Sequence, residues 1–335
     1  MDFSELGEFG FIDWIRCSYP SSSPSVIKGI GDDAAVLSFS NDLVLLITTD
    51  QLIEGFHFRL GETDGEKLGR KALAVNLSDI AAMGGYPIGY TVSLGIPSKR
   101  IPFDFVDSFY RGLTALGEMI GVELLGGDTS ESGDRLFISI TLLGKALKNK
   151  VVYRAGGQEG DLIYVSGWLG EAALGFHLLE KGISKKGKEN IFFRYLCPIP
   201  RVKEGQLLAE KNLPRAMIDI SDGLLADLNH LLEQSGLGAE IELSRLPLSP
   251  DFQLWTKEYG FDPLSLALEG GEDYELLFCV APEKSKEVEK LSQEVSLPFT
   301  CIGKLIRGTK GIWIKDAKGV IAPVLPKGYN HFKSR

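Results

Sequence analysis

The sequence predicts a two-domain α/β chain, α+β in the way its strands and helices mix, with mixed sheets flanked by helices. Three observations carry that expectation. At 335 residues the chain is long for a single hydrophobic core. Strand-like apolar runs and segments of helical period are mixed in both halves. Acidic residues recur at glycine-rich turns and where strand-like runs end, and α/β folds collect ligands at the carboxyl ends of strands.

Composition bounds the function. The chain is 44% hydrophobic and 24% charged, with 39 glycines and a net charge of −9. An acidic balance argues against binding nucleic acid or an anionic membrane, which calls for a basic face. It suits an enzyme that handles phosphates with the help of divalent cations. Cys17, Cys197, Cys279 and Cys301 show no C-x-x-C spacing, so reduced thiols in a cytoplasmic protein are expected. The stretch Met1–Glu5 lacks the apolar core of a signal peptide, and no apolar run reaches bilayer length.

The chain opens with a short amphipathic helix marked by Leu6, Phe9, Ile12 and Ile15, and a Ser/Pro cluster at Tyr19–Pro24 ends it. Gly29-Ile30-Gly31-Asp32-Asp33 follows, then the small-apolar start of a strand. Adjacent carboxylates repel unless a cation lies between them, although Gly-Asp-Asp also makes ordinary surface turns. Leu43–Ile47 is a continuous apolar run, as in a strand covered on both faces, and leads into Thr48-Thr49-Asp50, which places Asp50 at its carboxyl end. A helix over Glu66–Met83 carries two apolar stripes, Leu68/Ala72/Val75/Met83 and Leu73/Leu77/Ile80, so it is expected to be buried on two sides. Asp79 falls on the first stripe. A carboxylate there is costly without an ion-pair partner or a metal, and both remain open.

Gly89–Ile96 reads as a strand, Phe103–Ile120 as a helix stopped by Gly121, and Val122–Leu125 as a strand ending in Gly126-Gly127-Asp128-Thr129. Arg135–Ala146 is a long strand. The Lys/Gly-rich stretch from 148 to 160 reads as a junction, dividing the chain into domains 1–148 and 149–335; Arg154 within it is either a solvated linker arginine or a phosphate grip. The second half continues with a strand at Leu162–Val165, a helix at Leu169–Lys181, and a strand at Ala216–Ile218 running into Asp219-Ile220-Ser221-Asp222-Gly223. A helix at Leu224–Gln234, the segment Gly270-Gly271-Glu272-Asp273-Tyr274, a strand at Glu275–Val280, a helix at Glu283–Val295, and strands at Thr300–Ile306 and Gly311–Lys315 complete it.

Asp32, Asp33, Asp50, Asp79, Asp128, Asp219 and Asp222 thus share one kind of setting. With only four histidines and no thiol cluster, oxygen donors predominate, which suits Mg²⁺ better than zinc. There is no Walker lysine loop, protein-kinase signature or G-x-S-x-G elbow, and Ala34 breaks a G-x-G-x-x-G reading. Several Mg²⁺ ions joining a nucleotide polyphosphate to carboxylates is the chemistry that needs so many acids.

In order along nearly the whole chain, the sequence carries Gly7-Glu8-Phe9, Gly31-Asp32-Asp33-Ala34-Ala35, Thr49-Asp50 with Glu54-Gly55-x-His57-Phe58, and Asn76-Leu77-Ser78-Asp79-Ile80-Ala81-Ala82-Met83-Gly84. It continues with Gly126-Gly127-Asp128-Thr129, Arg154-x-Gly156, Asp219-x-Ser221-Asp222-Gly223-Leu224, Gly270-Gly271-Glu272-Asp273-Tyr274-Glu275-Leu276 and Gly328-Tyr329-x-His331-Phe332. This ordered set resembles the thiamine-monophosphate kinases, within the superfamily of aminoimidazole ribonucleotide synthetase and selenophosphate synthetase.

The resemblance implies the two-domain fold of that superfamily, a homodimer formed through N-terminal sheets, and an active site in the cleft between domains. Asp32, Thr48, Asp50, Asp79, Asp128, Asp219 and Asp222 would be Mg²⁺ ligands. Tyr110, Gly127, Asp128, Arg154 and Ser221 would contact ATP, and His57, Glu272 and Tyr329 thiamine monophosphate. Transfer would be direct and in line, without a covalent nucleophile or general base, supported by Asp50, Asp128, Asp222 and Arg154. Two other functions stand beside it: a related ATP-dependent synthetase of aminoimidazole ribonucleotide or selenophosphate type, and a non-catalytic nucleotide-binding regulator. Cys17 has no adjacent lysine, against the selenophosphate type, and the full set of acids weighs against a regulator.

Overall fold

The computed structural model describes residues 3–329 and residue 332, apart from the side chains of residues 4 and 5; His331 of the C-terminal motif lies outside the described residues. The first half contains α1 (Phe3–Ser18), β1 (Val26–Lys28), β2 (Ala35–Ser38), β3 (Leu43–Ile53), α2 (Gly65–Ala82), β4 (Tyr86–Ile96), α3 (Phe103–Ile120), β5 (Glu123–Glu131) and β6 (Phe137–Leu147). Its strands form a six-stranded sheet in the order β1-β2-β3-β6-β4-β5. Only the β4/β5 pair is parallel.

The second half contains β7 (Leu162–Ser166), α4 (Glu171–Glu180), α5 (Glu189–Leu196), α6 (Val202–Glu210), β8 (Pro214–Asp219), α7 (Leu224–Ser235), β9 (Gly238–Glu242), α8 (Pro250–Tyr259), α9 (Pro263–Glu269), β10 (Leu276–Val280), α10 (Ser285–Val295), β11 (Phe299–Ile306), β12 (Gly311–Lys315) and β13 (Ile321–Val324). A seven-stranded sheet runs β13-β12-β9-β11-β7-β10-β8, parallel only at β12/β9.

Helix α2 is the hinge pin of the architecture. Asp64 caps its first turn by accepting the Lys67 N–H at 2.8 Å. The two apolar stripes are both buried, as expected from the sequence. On one side α2 covers the first sheet; on another it meets β8. One continuous core therefore runs from Val36, Leu46 and Ile140 through Leu73 and Leu77 to Tyr164, Met217 and Phe278 of the second sheet. The crossing with α3 is close because of glycine. A Cβ on Gly112 would stand 1.9 Å from the carbonyl oxygen of Glu66, so no larger residue fits without moving a backbone.

The opposite face of the second sheet packs Ile163, Val165, Ile218 and Leu277 against Leu225, Leu228 and Leu231 of α7. That sheet is covered on both sides. The first sheet is not: Thr49, Gln51, Thr91 and Ser93 are exposed on the face away from α2.

Several boundaries differ from expectation. Strand β3 continues to Ile53, so Asp50 lies inside it rather than at its end; pairing with β6 persists to Ile53↔Phe137. Strand β5 runs on through Gly126-Gly127-Asp128-Thr129, because parallel pairing to β4 overrides the turn preference of the glycines. Helix α1 spans Gly7 through a kink at φ 65°. Elements β9, α8, α9 and β13 carried no clear periodic signal: β9 is a half-polar Gly-Ala-Glu-Ile-Glu, and the others are short.

Candidate active site

Two segments of the second domain face α2. Strand β8 ends at Asp219, and the chain turns through Ser221-Asp222-Gly223 into α7. Asp227 holds that turn, its Oδ2 accepting the N–H groups of Ser221, Asp222 and Gly223 at 3.1 Å each. The Gly270–Tyr274 segment lies against it. The Glu272 N–H donates to the Ser221 carbonyl at 2.7 Å, and the Tyr274 N–H to that of Ile220 at 2.8 Å. A Cβ on Gly271 would fall 2.5 Å from the Ser221 carbonyl oxygen, so glycine is what lets the two segments touch.

Against these segments α2 presents Asp79 and Ser78. The Ser78 hydroxyl donates to Asp219 Oδ2 at 2.6 Å, joining the two domains. The Thr48 hydroxyl donates to Asp79, and Asn76 Oδ1 accepts the Asp50 N–H at 3.1 Å, pinning β3 to the helix. Carboxylate oxygens of Asp33, Asp79 and Asp219 all lie within 4.8 Å of one another. Arg154 reaches the same place from the junction: Nε and Nη2 donate to Asp33 Oδ1 at 3.2 and 2.6 Å, and its backbone N–H to Asp32 Oδ1 at 3.2 Å.

The acids outweigh the cations. Burial raises the Asp33 carboxyl to about 7 despite Arg154, and raises Asp50 to about 6. Asp222 is pushed up to about 7 by burial and then by Glu8 and Asp219. Burial, reinforced by Asp50, Asp219 and Asp33, holds Asp79 well above the carboxylate range, and burial raises Asp219 too. Asp33 Oδ2 is buried with no hydrogen-bond partner. Clustered oxygen donors with an unanswered lone pair and too little positive charge fit a hard divalent cation.

Beyond the acids, His57 Nδ1 accepts the Ile53 N–H at 3.1 Å, which leaves the neutral ring's proton on Nε2. Glu272 takes both oxygens to the Nζ of Lys71, at 2.9 and 3.0 Å. The Tyr329 N–H donates to the Asp222 carbonyl at 3.0 Å, tying the C-terminal tail to the β8–α7 turn.

Gly127, Asp128 and Tyr110 are not gathered in. Asp50 aligns with Ile140, Val92 and Gly127 across the sheet, and Asp128 with Ser93, Ser139 and Gln51. Pleating therefore points Asp128 to the face opposite Asp50, three strands away, or about 14 Å. It sits on an edge strand exposed along its whole length. Tyr110 on α3 contacts Phe109 and lies near Tyr90 rather than the acids.

The tight group includes Asp33 where Asp32 was expected; Asp32 is instead next to Lys28 Nζ at 3.3 Å. Sequence reasoning also passed over Lys71, Asn76, Ser78 and Asp227 as separate contributors. The signal for Lys71 was present: a lysine inside a helix buried all round is as conspicuous as Asp79.

Comparison with known proteins bears on the fold and the family. Residues 31–146 match the family model described as AIR synthase related protein, N-terminal domain, and residues 158–315 its C-terminal counterpart. The thiamine-monophosphate kinase of Haemophilus influenzae is 38% identical over 98% of both chains. The chain belongs to the thiamine-monophosphate kinase family. The Escherichia coli K12 member is 36% identical, covering 97% of this chain and 98% of its own. A solved structure described as AaThiL complexed with AMPPCP and TMP superposes with a TM-score of 0.86 at 36% identity, covering 99% of each chain. Among the described residues no helix is long and apolar enough to cross a membrane.

Proposed function

We propose that this member of the thiamine-monophosphate kinase family transfers the γ-phosphoryl group of ATP to the phosphate of thiamine monophosphate, giving thiamine diphosphate. What carries the reading is the meeting of Asp33, Asp79 and Asp219, drawn from both halves of a chain that matches the family over nearly its full length. The halves are taken as domains 1–148 and 149–335, with the cytoplasm as the compartment for the reduced thiols of Cys17, Cys197, Cys279 and Cys301.

The acceptor needs no general base. A phosphate monoester has a second pKa near 6 and is largely dianionic at neutral pH, already a nucleophile. The barrier is the approach of two anions. Asp33, Asp79 and Asp219, with Asp32, Asp50 and Asp222 around them, would hold Mg²⁺, and the bound cation supplies the positive charge that phosphoryl transfer demands.

The chain's own residues set the geometry. Thr48 and Ser78 orient Asp79 and Asp219 through their hydroxyls. Asn76 fixes Asp50, and Arg154 is held at Asp33 with its guanidinium directed at the phosphate end. Ser221 faces ATP in this reading, while His57, Glu272 and Tyr329 hold thiamine monophosphate; Tyr110, which lies near Tyr90 and away from the acids, would reach ATP only from a second copy. Transfer is in line within a ternary complex, so no phosphoenzyme forms on the pathway.

Asp128 points to the face opposite Asp50, and Gly127 lies beside it on the edge strand three strands from Asp50, so in this reading they act from a second copy. The homodimer would form through the open face of the six-stranded sheet, carrying each Asp128 to its partner's cleft.

The test is turnover. The chain incubated with ATP, Mg²⁺ and thiamine monophosphate should yield thiamine diphosphate on chromatography, and lose that product without Mg²⁺ or in Asp50→Ala. ATP binding without any thiamine diphosphate would overturn the assignment.

A further inference from the structure

Lys71 is the least expected charge in the fold. Its side chain is 3% exposed, while the Glu272 carboxylate it pairs with is 28% exposed. The ammonium lies 3.9 Å from the ring centroid of Tyr195, a cation–π contact. The Tyr195 hydroxyl in turn donates to the His57 carbonyl at 3.5 Å. A buried lysine thus touches the Glu272 carboxylate directly and the His57 backbone by way of Tyr195, two residues assigned to thiamine monophosphate.

The backbone of Glu272 adds a second observation. It has φ 68°, in the left-handed region that disfavours residues with a Cβ. The strain directs a carboxylate onto Lys71 while the Glu272 N–H stays on the Ser221 carbonyl beside Asp222. Helix geometry completes the frame. Lys71 and Ser78 are seven residues apart, so they share one face about 10 Å apart along the axis. Each makes one polar contact with the second domain, Lys71 with Glu272 and Ser78 with Asp219. A tie of purely structural purpose at this depth gains little over apolar packing, and it does not require a strained partner at the cleft edge.

We propose that Lys71 is a positioning residue for the acceptor substrate: its buried ammonium fixes the Glu272 carboxylate, and through Tyr195 the His57 loop, at the end of the cleft away from the acids. Thiamine monophosphate carries a thiazolium cation, and a carboxylate held in place is the group that recognises it. Ser78 secures the phosphate end of the same helix face and Lys71 the organic end. The proposal rests on the assignment of Glu272 and His57 as substrate contacts.

The experiment is a double-mutant cycle on steady-state kinetics with Lys71→Met, Glu272→Gln and the pair, together with thermal melting. Lys71→Met is expected to raise KM for thiamine monophosphate roughly tenfold or more, the effect of loosening a fixed charge contact. KM for ATP should stay within about twofold, and the melting temperature near that of the wild type, since Glu272 can turn to water. The pair should be no worse than Glu272→Gln alone, because Lys71 acts through that carboxylate. Lys71→Arg, which keeps the charge, should recover part of the lost affinity, and it remains informative if the methionine variant does not fold. Additive effects, a parallel rise in both KM values, or unchanged kinetics in Lys71→Met and Lys71→Arg would overturn the role of Lys71. A wild-type chain that turns over no thiamine monophosphate would instead overturn the substrate assignment, and this proposal with it.

Discussion

Asp219 ends β8 and pairs with Leu276 of β10; Glu275 comes just before β10, its carbonyl accepting the N–H of Ile220, the residue after Asp219, at 2.8 Å. Both are buried, yet the fold treats them differently. Glu275 is enclosed by its own counter-charge: Arg201 Nε donates to Oε2 at 2.6 Å, Nη2 to Oε1, and the Ser166 hydroxyl to Oε2 at 2.6 Å. Asp219 receives the Ser78 hydroxyl but has no ion pair of its own: Arg154 eases it from nearby while bonded to Asp33, and Asp33 and Asp79 crowd it. Burial of a carboxylate therefore does not mark function in this molecule. A buried carboxylate whose counter-charge is withheld does, because a cation has to come from outside for both charge and hydrogen bonding to be met.

The sharpest way to break this contrast is to neutralise one acid from each side. Asp219→Asn should lower kcat by about 10³-fold or more, the scale of removing a charge-organising group. It should leave the metal-free protein no less stable, since a repulsive neighbour is gone. If Asp219→Asn instead retains activity and loses stability, the two acids are alike and the contrast fails.

A second test asks where Asp128 belongs. Asp128→Ala and Asp219→Asn should each be inactive alone. Mixed after dissociation and reassembly, they should regain up to about a quarter of wild-type activity, through mixed dimers with one intact site. No recovery in demonstrably mixed dimers would place Asp128 in its own chain's cleft or outside the site.

On the structural side, Arg201→Met strands Glu275 without its counter-ion. The expected loss is about 3–5 kcal/mol of stability, read as a lowered melting temperature, with kcat of the remaining folded protein within a few-fold of wild type. A stable but inactive Arg201→Met would put Arg201 in the chemistry.

The smallest effect is the pH dependence. Asp33 titrates near 7 in the fold against 3.8 when unperturbed, so between about 4 and 7 the folded state holds more protons than the unfolded chain. Its contribution is full below about 4 and is lost as pH rises through about 7. Relative to Asp33→Asn, the metal-free wild type should therefore lose stability between pH 5 and pH 8. A flat difference across that range would show Arg154 to be a sufficient counter-charge.

Much of this was legible in the sequence for a physical reason. Helix α2 announced its double burial through two apolar stripes, and α3 was bounded as observed because Gly121 stops it in the left-handed conformation. Asp79 and Asp219 were identifiable because acids in apolar or strand-end settings are costly. Less legible were features set by partners distant in sequence. Asp33 and Asp32 are separated only partly by local chemistry: Lys28, four residues back, lies beside Asp32, but the guanidinium that takes Asp33 belongs to Arg154, over 120 residues away. Asp128 looked like a strand-end acid because two glycines precede it, but pairing with β4 carries the strand through them. Asp227 reads as an ordinary helical acid until its three backbone donors are seen.

The most direct measurement is a calorimetric titration of Mg²⁺ into the chain with a non-hydrolysable ATP analogue, run beside Asp219→Asn and Glu275→Gln. Binding present in the wild type and in folded Glu275→Gln, but lost or weakened at least tenfold in Asp219→Asn, is what withheld counter-charge predicts. Equal Mg²⁺ binding by the wild type and Asp219→Asn would contradict it.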